Sequence, residues 1–141
     1  MWTKRHETLI RRYYDVLSAN RLDELDSLMA SAFVEHETLP GIPPTRDGLK
    51  QKYALLRSGF SDLRFSVDDL FQVGGRVAAR VTVSGTHDGN FMGRPPTGRR
   101  FAVNSVDIFR VDGDCVVEHW GVFDQMGMLA QLGALPGNPA A

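Results

Sequence analysis

The stretch RFAVNSVDIFRVDGDCVVEHWGVF, Arg100 to Phe123, decides how this chain folds. Apolar and polar residues alternate along both of its halves, which is the period of β-strands that bury one face. The halves are joined by Asp-Gly-Asp, a sequence typical of hairpin turns. The pattern therefore predicts two long antiparallel strands, Arg100 to Val111 and Cys115 to Phe123.

Two further strands precede this hairpin. The first, LRFSV at residues 63–67, continues to Val73 and ends at Gly74-Gly75, which is a strong hairpin signal. The second strand runs from Val77 to His87 with the same alternation. A loop rich in Gly and Pro then leads to Arg100. Together these patterns predict an antiparallel sheet.

The first half of the chain has a helical period instead. Residues 3–19 and the helix that Thr45 caps both carry apolar side chains on one stripe, and a short helix between them ends near Met29. A last short helix covers residues 124–132. This order of helices followed by strands predicts an α+β fold in which helices pack on one side of a curved antiparallel sheet.

Length and charge limit the class of protein. A chain of 141 residues with 43% hydrophobic content fits one domain, assigned to residues 1–133, followed by a flexible tail at residues 134–141. The net charge of -1 and the lack of a basic run argue against a nucleic-acid partner. No segment has the length of a membrane span, so a soluble cytoplasmic protein is expected.

The turn of the main hairpin determines which residues face each other. A two-residue turn at Asp112-Gly113 would pair Asp107 with Glu118, and two opposed carboxylates are destabilising. A three-residue turn ending at Asp114 would pair Asp107 with His119. It would also place Ser105 opposite Gly121. We therefore favour the three-residue turn.

One face of the sheet collects the candidate site residues. An Asp-His pair is a sensible device for proton transfer, because the carboxylate orients the imidazole and stabilises its charged form. The alternative is structural, with a hydrogen-bonded buried carboxylate and a packed core histidine. Asp107, His119 and His36 are the predicted catalytic residues, and the predicted substrate-binding residues are His87, Ser105, Glu35, Gly121, Tyr14 and Phe123. Glu35 and His36 are expected near the mouth of the pocket.

Metal chemistry has little support in the sequence. Neither an HExxH motif nor a His-x-His pair is present, so no metal site is predicted. Cys115 is the single cysteine and cannot form an internal disulfide.

Four motifs resemble the signature of SnoaL-like polyketide cyclases, within the nuclear transport factor 2-like fold superfamily. These are GNFMGRPPTGRRF, FRVDGD, EHW and FDQMGMLAQLG, which begin at Gly89, Phe109, Glu118 and Phe123, and FVEHETLPG at Phe33 also matches. The resemblance implies a cone of three or four helices wrapped by a curved sheet that encloses an apolar pocket. It also implies a homodimer that uses neither metal nor cofactor.

The resemblance also implies a mechanism, from which this sequence departs. Cyclases of the family use a pocket carboxylate to move a proton during an intramolecular aldol closure, and that carboxylate aligns with Gly121 here. Two functions stay open: a cofactor-independent cyclase or isomerase acting on a small, hydrophobic, carbonyl-rich molecule, and a non-catalytic protein that binds or sequesters such a ligand. An epoxide hydrolase or hydratase is a third possibility, although epoxide hydrolases of this fold also need an Asp at this position.

Overall fold

A computed structural model describes residues 4–135 of the chain. Within these residues, three helices, one 3₁₀ helix and five strands follow one another. In chain order they are α1 (Lys4–Ser18), the 3₁₀ helix (Leu22–Ser27), β1 (Met29–Glu35), α2 (Arg46–Gly59), β2 (Arg64–Val73), β3 (Arg76–Thr86), β4 (Arg100–Asp112), β5 (Cys115–Phe123) and α3 (Gln125–Gln131).

The strands form one sheet in the order β1-β5-β4-β3-β2. The predicted α+β class and the order of the four later strands are confirmed. β1 was not predicted, because Met29 was assigned to a helix and the following residues to a loop. It pairs in parallel with β5, so the sheet is mixed and not purely antiparallel. Residues 136–141 of the predicted tail (134–141) lie outside the described residues.

The helices cover the concave face of the sheet. α1 packs mainly on β2, and α2 packs on β1 and the 3₁₀ helix. The hydroxyl of Thr45 accepts a hydrogen bond from the Gly48 amide, which caps α2 as predicted. Buried aromatic and aliphatic side chains fill the space between the two layers, among them Ile10, Tyr13, Leu49, Phe60, Val81, Phe101 and Phe109. None of the helices in residues 4–135 is both long and apolar enough to cross a membrane.

The register of β4 and β5 differs from the favoured prediction. Asp107 faces Gly121, and neither Glu118 nor His119 as the two alternatives proposed. The turn is formed by Gly113 and Asp114, with Gly113 at a φ of 60°. Further along, the pairing shifts because β5 contains one additional residue, a β-bulge that a strictly alternating pattern does not reveal.

Because of the bulge, Asp107 and His119 lie on the same face of the sheet, as the favoured prediction had them, although its register was wrong. Ser105 lies opposite Phe123, and His119 lies opposite Phe109. Asp107 and His119 are therefore diagonal neighbours on the inner face of the sheet, within reach of each other's side chains.

Candidate active site

Six polar side chains from six different segments meet beneath the helices. We call them the buried polar cluster. Its members are Tyr14 of α1, Glu35 of β1, Glu37 of the next loop, Lys52 of α2, Asp107 of β4 and His119 of β5. Five of the six are less than 9% exposed, so each ionised group needs a close partner.

His119 lies at the centre of the buried polar cluster. Its Nε2 is 3.0 Å from Oδ1 of Asp107, and its Nδ1 is 2.6 Å from Oε1 of Glu35. Burial disfavours the charged ring, but hydrogen bonds and charge attraction from Asp107 and Glu35 outweigh it. The pKa of His119 rises from 6.5 to about 9. His119 is therefore an imidazolium at neutral pH, with both N–H groups donated to carboxylates.

The raised pKa of His119 makes the stability of the fold depend on pH. Because the folded protein binds this proton more tightly than the unfolded chain, its stabilisation is fully present below pH 6.5 and is lost as pH rises through about 9. We expect the free energy of unfolding to fall by roughly 3 kcal/mol between pH 6.5 and pH 9.5. Urea denaturation at the two pH values measures it. An unchanged free energy, or an imidazole that titrates near pH 6.5 by NMR, would contradict the assignment.

Glu35 responds to pH in the opposite direction. Burial raises its pKa, but the hydrogen bond and charge of His119, aided by Lys52, give a net lowering. Glu35 thus remains ionised in the fold. Its contribution to stability is present above its ordinary pKa and is lost as pH falls below that value.

Tyr14 completes the surroundings of Asp107. Its hydroxyl donates to Oδ2 of Asp107 at 2.5 Å, while Oδ1 accepts from His119 and from the Ser105 hydroxyl at 3.3 Å. Burial, followed by the nearby charge of Asp107, raises the pKa of Tyr14 well above its usual value, so the phenol stays protonated. Both oxygens of Asp107 are therefore occupied.

Lys52 and Glu37 were missed by the sequence analysis. Nζ of Lys52 lies 3.4 Å from Oε2 of Glu35 and 3.2 Å from Oε1 of Glu37. One signal did exist, because Lys52 is placed three residues after Leu49 and next to Tyr53, on the apolar stripe of α2. Glu37 belongs to a loop without a periodic pattern, and nothing in the sequence indicated its direction.

Gly121 brings two carboxylates close to the sheet. A Cβ added at Gly121 would lie 2.6 Å from Oδ1 of Asp107 and 3.0 Å from Oε1 of Glu37. We predicted Gly121 as a substrate-binding residue, but the structure leaves no room for substrate directly above it. The space above Gly121 is filled by Asp107 and Glu37.

His36 does not reach the pocket face, and its predicted position is wrong. Its ring stacks on Trp120 with a centroid separation of 4.8 Å, and its Nε2 is 2.7 Å from Oε2 of Glu118. Glu118 and Trp120 alternate with His119 and so lie on the outer face of the sheet. The residue that follows β1 turns outward, and the buried polar cluster instead receives Glu35 and Glu37.

His87 lies on the inner side but far from the buried polar cluster. The register pairs Ala79 with Asp107, and His87 comes eight residues later, about 26 Å along an extended strand. His87 lines a pocket of about 650 Å³ together with the loop that precedes β4 and the end of α3. Neither Asp107 nor His119 lines this pocket, so the expectation of one site containing all these residues is wrong. Phe123 is half-buried beside the core.

Glu37, Asp107 and His119 could in principle hold a metal ion, because one ligand atom of each lies within 4.8 Å of the others. The chemistry of the donor set fits poorly. A histidine ligand must offer a neutral ring nitrogen, whereas both nitrogens of His119 are engaged by carboxylates at a pKa of about 9. A metal would have to displace that proton and the bond to Asp107.

Comparison with known proteins identifies the family. The sequence pattern of SnoaL-like polyketide cyclases matches residues 7–132. The chain belongs to this family. Among its SnoaL-like relatives, nogalonic acid methyl ester cyclase of Streptomyces nogalater is 29% identical over 118 residues, which cover 82% of this chain and 88% of the relative. Aklanonic acid methyl ester cyclase DauD of Streptomyces sp. (strain C5) is 24% identical over 128 residues, covering 89% and 80%.

Solved structures of similar proteins agree with the fold. TsrD from Streptomyces laurentii has a TM-score of 0.85 and 27% identity, covering 96% of this chain and 99% of its own. Wild-type IdmH from Streptomyces antibioticus has a TM-score of 0.81 and 36% identity, covering 90% and 97%. The predicted family is therefore confirmed.

Proposed function

We propose that the protein is a cofactor-independent cyclase or isomerase that moves a proton on a small, hydrophobic, carbonyl-rich substrate. The observation that carries this proposal is the Asp107–His119 pair. Its histidine is charged, buried and fixed at both nitrogens. A buried imidazolium beside the partly exposed carboxylate of Glu37 suits a reaction in which negative charge develops on the substrate.

Glu37 is the proton acceptor in this proposal. Its side chain is 25% exposed, whereas that of Asp107 is 9% exposed and that of Glu35 is 4% exposed. Within residues 4–135, its Oε2 accepts no hydrogen bond, while every oxygen of Asp107 and Glu35 has a partner. A carboxylate with a free lone pair at the edge of a charged cluster has the geometry of a general base.

The proposed reaction balances without an added reagent. The Glu37 carboxylate takes an acidic C–H proton that lies between carbonyl groups, and the substrate becomes an enolate. The enolate carbon attacks a second carbonyl of the same molecule, which forms the C–C bond and leaves an alkoxide. Glu37 then returns the proton to that oxygen. The positive charges of His119 and Lys52 lower the free energy of the anionic states.

Polyketide methyl esters are the substrate class to test first. Two relatives are named for closing aklanonic acid methyl ester and nogalonic acid methyl ester, and they align with most of this chain. After treatment with a chelator, the protein should cyclise one of these esters or a simpler 1,3-dicarbonyl ester. Chromatography of the reaction mixture measures the product. Complete lack of cyclisation and of α-proton exchange in heavy water would reject the catalytic proposal.

A binding protein is the second candidate function, and the position of the pocket favours it. The 650 Å³ pocket beside His87 is large enough for a drug-sized molecule, but the cavity at Glu35, Glu37 and Lys52 is only about 10 Å³. Mass spectrometry of co-purified material distinguishes the two functions. A binder would retain an unchanged ligand, whereas a cyclase would convert added ester.

A homodimer through the outer face of the sheet is part of the proposal. Val106, Ile108 and Val122 are 48%, 38% and 76% exposed there, and the helices cover only the inner face. Trp120 is partly covered by His36 and by Arg76, whose guanidinium lies 4.8 Å from the centre of the Trp120 ring.

We expect light scattering at micromolar concentration to give the mass of a dimer. Val122→Lys should shift the protein toward monomer, and a wild-type monomer would contradict the dimer.

A further inference from the structure

The pocket beside His87 is a separate feature that the buried polar cluster does not explain. It lies between the loop that precedes β4 and the end of α3, and it has a volume of about 650 Å³. Its apolar wall includes Phe91, Leu129 and Leu132. Pockets of this size bind ligands through a mostly apolar wall and a few placed polar groups.

His87 supplies one such polar group. The residue is 1% exposed, and its Nε2 is buried without a hydrogen-bond partner in residues 4–135. Buried polar atoms are usually paired, and each exception requires a reason. Because His87 lines the pocket, a bound molecule could satisfy Nε2.

The hydrogen bond made by Nδ1 of His87 determines whether Nε2 is a donor or an acceptor. Nδ1 lies 3.0 Å from the Thr97 hydroxyl, and that hydroxyl oxygen already accepts the amide N–H of Arg99 at 3.3 Å. A threonine hydroxyl that accepts from the backbone can donate its own proton to Nδ1. The ring proton then lies on Nε2, which becomes a buried donor without an acceptor in residues 4–135.

The charged residues of the pocket have one sign. Arg94 and Arg99 line it, and its described lining contains neither Asp nor Glu. Arg94 is held in place because its Nη2 donates to the carbonyl of Ala134 at 3.4 Å. Arg99 packs beside Gly133, where an added Cβ would lie 2.3 Å from its Nη1. The Arg94 cation and the buried donor of His87 favour an anion.

We propose that this pocket binds an organic carboxylate with an apolar body, at a site separate from the buried polar cluster. The carboxylate would accept hydrogen bonds from Nε2 of His87 and from Arg94. Its apolar body would lie against Phe91, Leu129 and Leu132. The proposal does not depend on catalysis, because none of these groups belongs to the proton-transfer machinery.

A matched pair of probes tests the charge requirement. We expect 2-naphthoate to bind about tenfold more tightly than 2-naphthalenemethanol by calorimetry, because charge-assisted hydrogen bonds contribute more than neutral ones. In NMR spectra, naphthoate should shift the ring protons of His87. Equal affinity for acid and alcohol, or no binding of either, would overturn the proposal.

Variants locate the binding to the pocket. Arg94→Met keeps an apolar stem and should weaken naphthoate by about fivefold or more while leaving the alcohol unchanged. Arg80→Met is the control, because it removes the same charge from an arginine that pairs with Asp69 far from the pocket. Asp107→Asn should bind naphthoate like wild type even if its turnover is lost. Weakening by the control, or loss of binding in Asp107→Asn, would show that the site is not the one proposed.

Discussion

Turnover should fall by about 10² to 10⁴ in Glu37→Gln, the range that general acid-base groups contribute, while the fold and ligand binding stay close to wild type. The amide has nearly the shape of the carboxylate but cannot accept a proton. Glu37 makes one ion pair, with Lys52, and is a quarter exposed, so its loss should cost little stability. Steady-state cyclisation rates and thermal denaturation measure the two effects.

Glu118→Gln is a matched control for this change. Glu118 has a similar side-chain exposure of 22% and also makes ion pairs, with His36 and Arg110, but it lies on the outer face of the sheet. It should retain wild-type turnover. Cyclisation that survives Glu37→Gln would remove Glu37 from the mechanism without rejecting the cyclase function. Equal losses in both variants would point to a general effect of charge.

Asp107→Asn should have the second largest effect, a loss of turnover of about 10² to 10³ with little change in shape, because it weakens the charged His119 that stabilises the anionic states. An asparagine can still accept from His119 and can donate to the hydroxyl of Tyr14, so the packing survives. The imidazolium, however, loses one of its two carboxylate partners. The pKa of His119 should therefore fall below its value of about 9, which NMR titration of the ring protons measures.

The double variant separates a joint role from two independent roles. His119→Gln alone should reduce turnover to a similar extent, and the combination with Asp107→Asn should be little worse than either, since groups that act as a unit are not additive. Asp69→Asn, which removes a carboxylate paired with Arg80, is the control. Full turnover in Asp107→Asn with an unchanged pKa of His119 would make the pair structural.

Alternating patterns predicted the strands well because burial on one face of a sheet imposes a period of two. They failed at β1, where Glu35 occupies a buried position among apolar neighbours and hides the alternation. The predicted register of β4 and β5 failed for two reasons, the first being that the turn is Gly113-Asp114 and neither of the two turns considered. The second is a bulge, which adds one residue without changing the composition of the strand, so no turn rule could have located it.

The candidate site was predictable where residues share a strand face and not where a loop or helix contributes. Asp107, Ser105 and His119 were placed on one face by alternation and by the favoured turn, and they meet in the structure although the predicted register was wrong. Lys52 and Glu37 come from elements whose positions depend on tertiary packing. His36 and Glu37 are adjacent, yet they point to opposite sides, which a loop without periodicity gives no means to predict.

The close approach at Gly121 limits how the site could change during evolution. Because a Cβ there would meet both Asp107 and Glu37, a side chain cannot be introduced at position 121 while Glu37 keeps its present conformation. Replacing Glu37 first would remove the proposed proton acceptor, and replacing Gly121 first would crowd two carboxylates. An acidic side chain at position 121 and Glu37 in its present conformation therefore compete for the same space. A change from one arrangement to the other requires Glu37 to move or to be replaced.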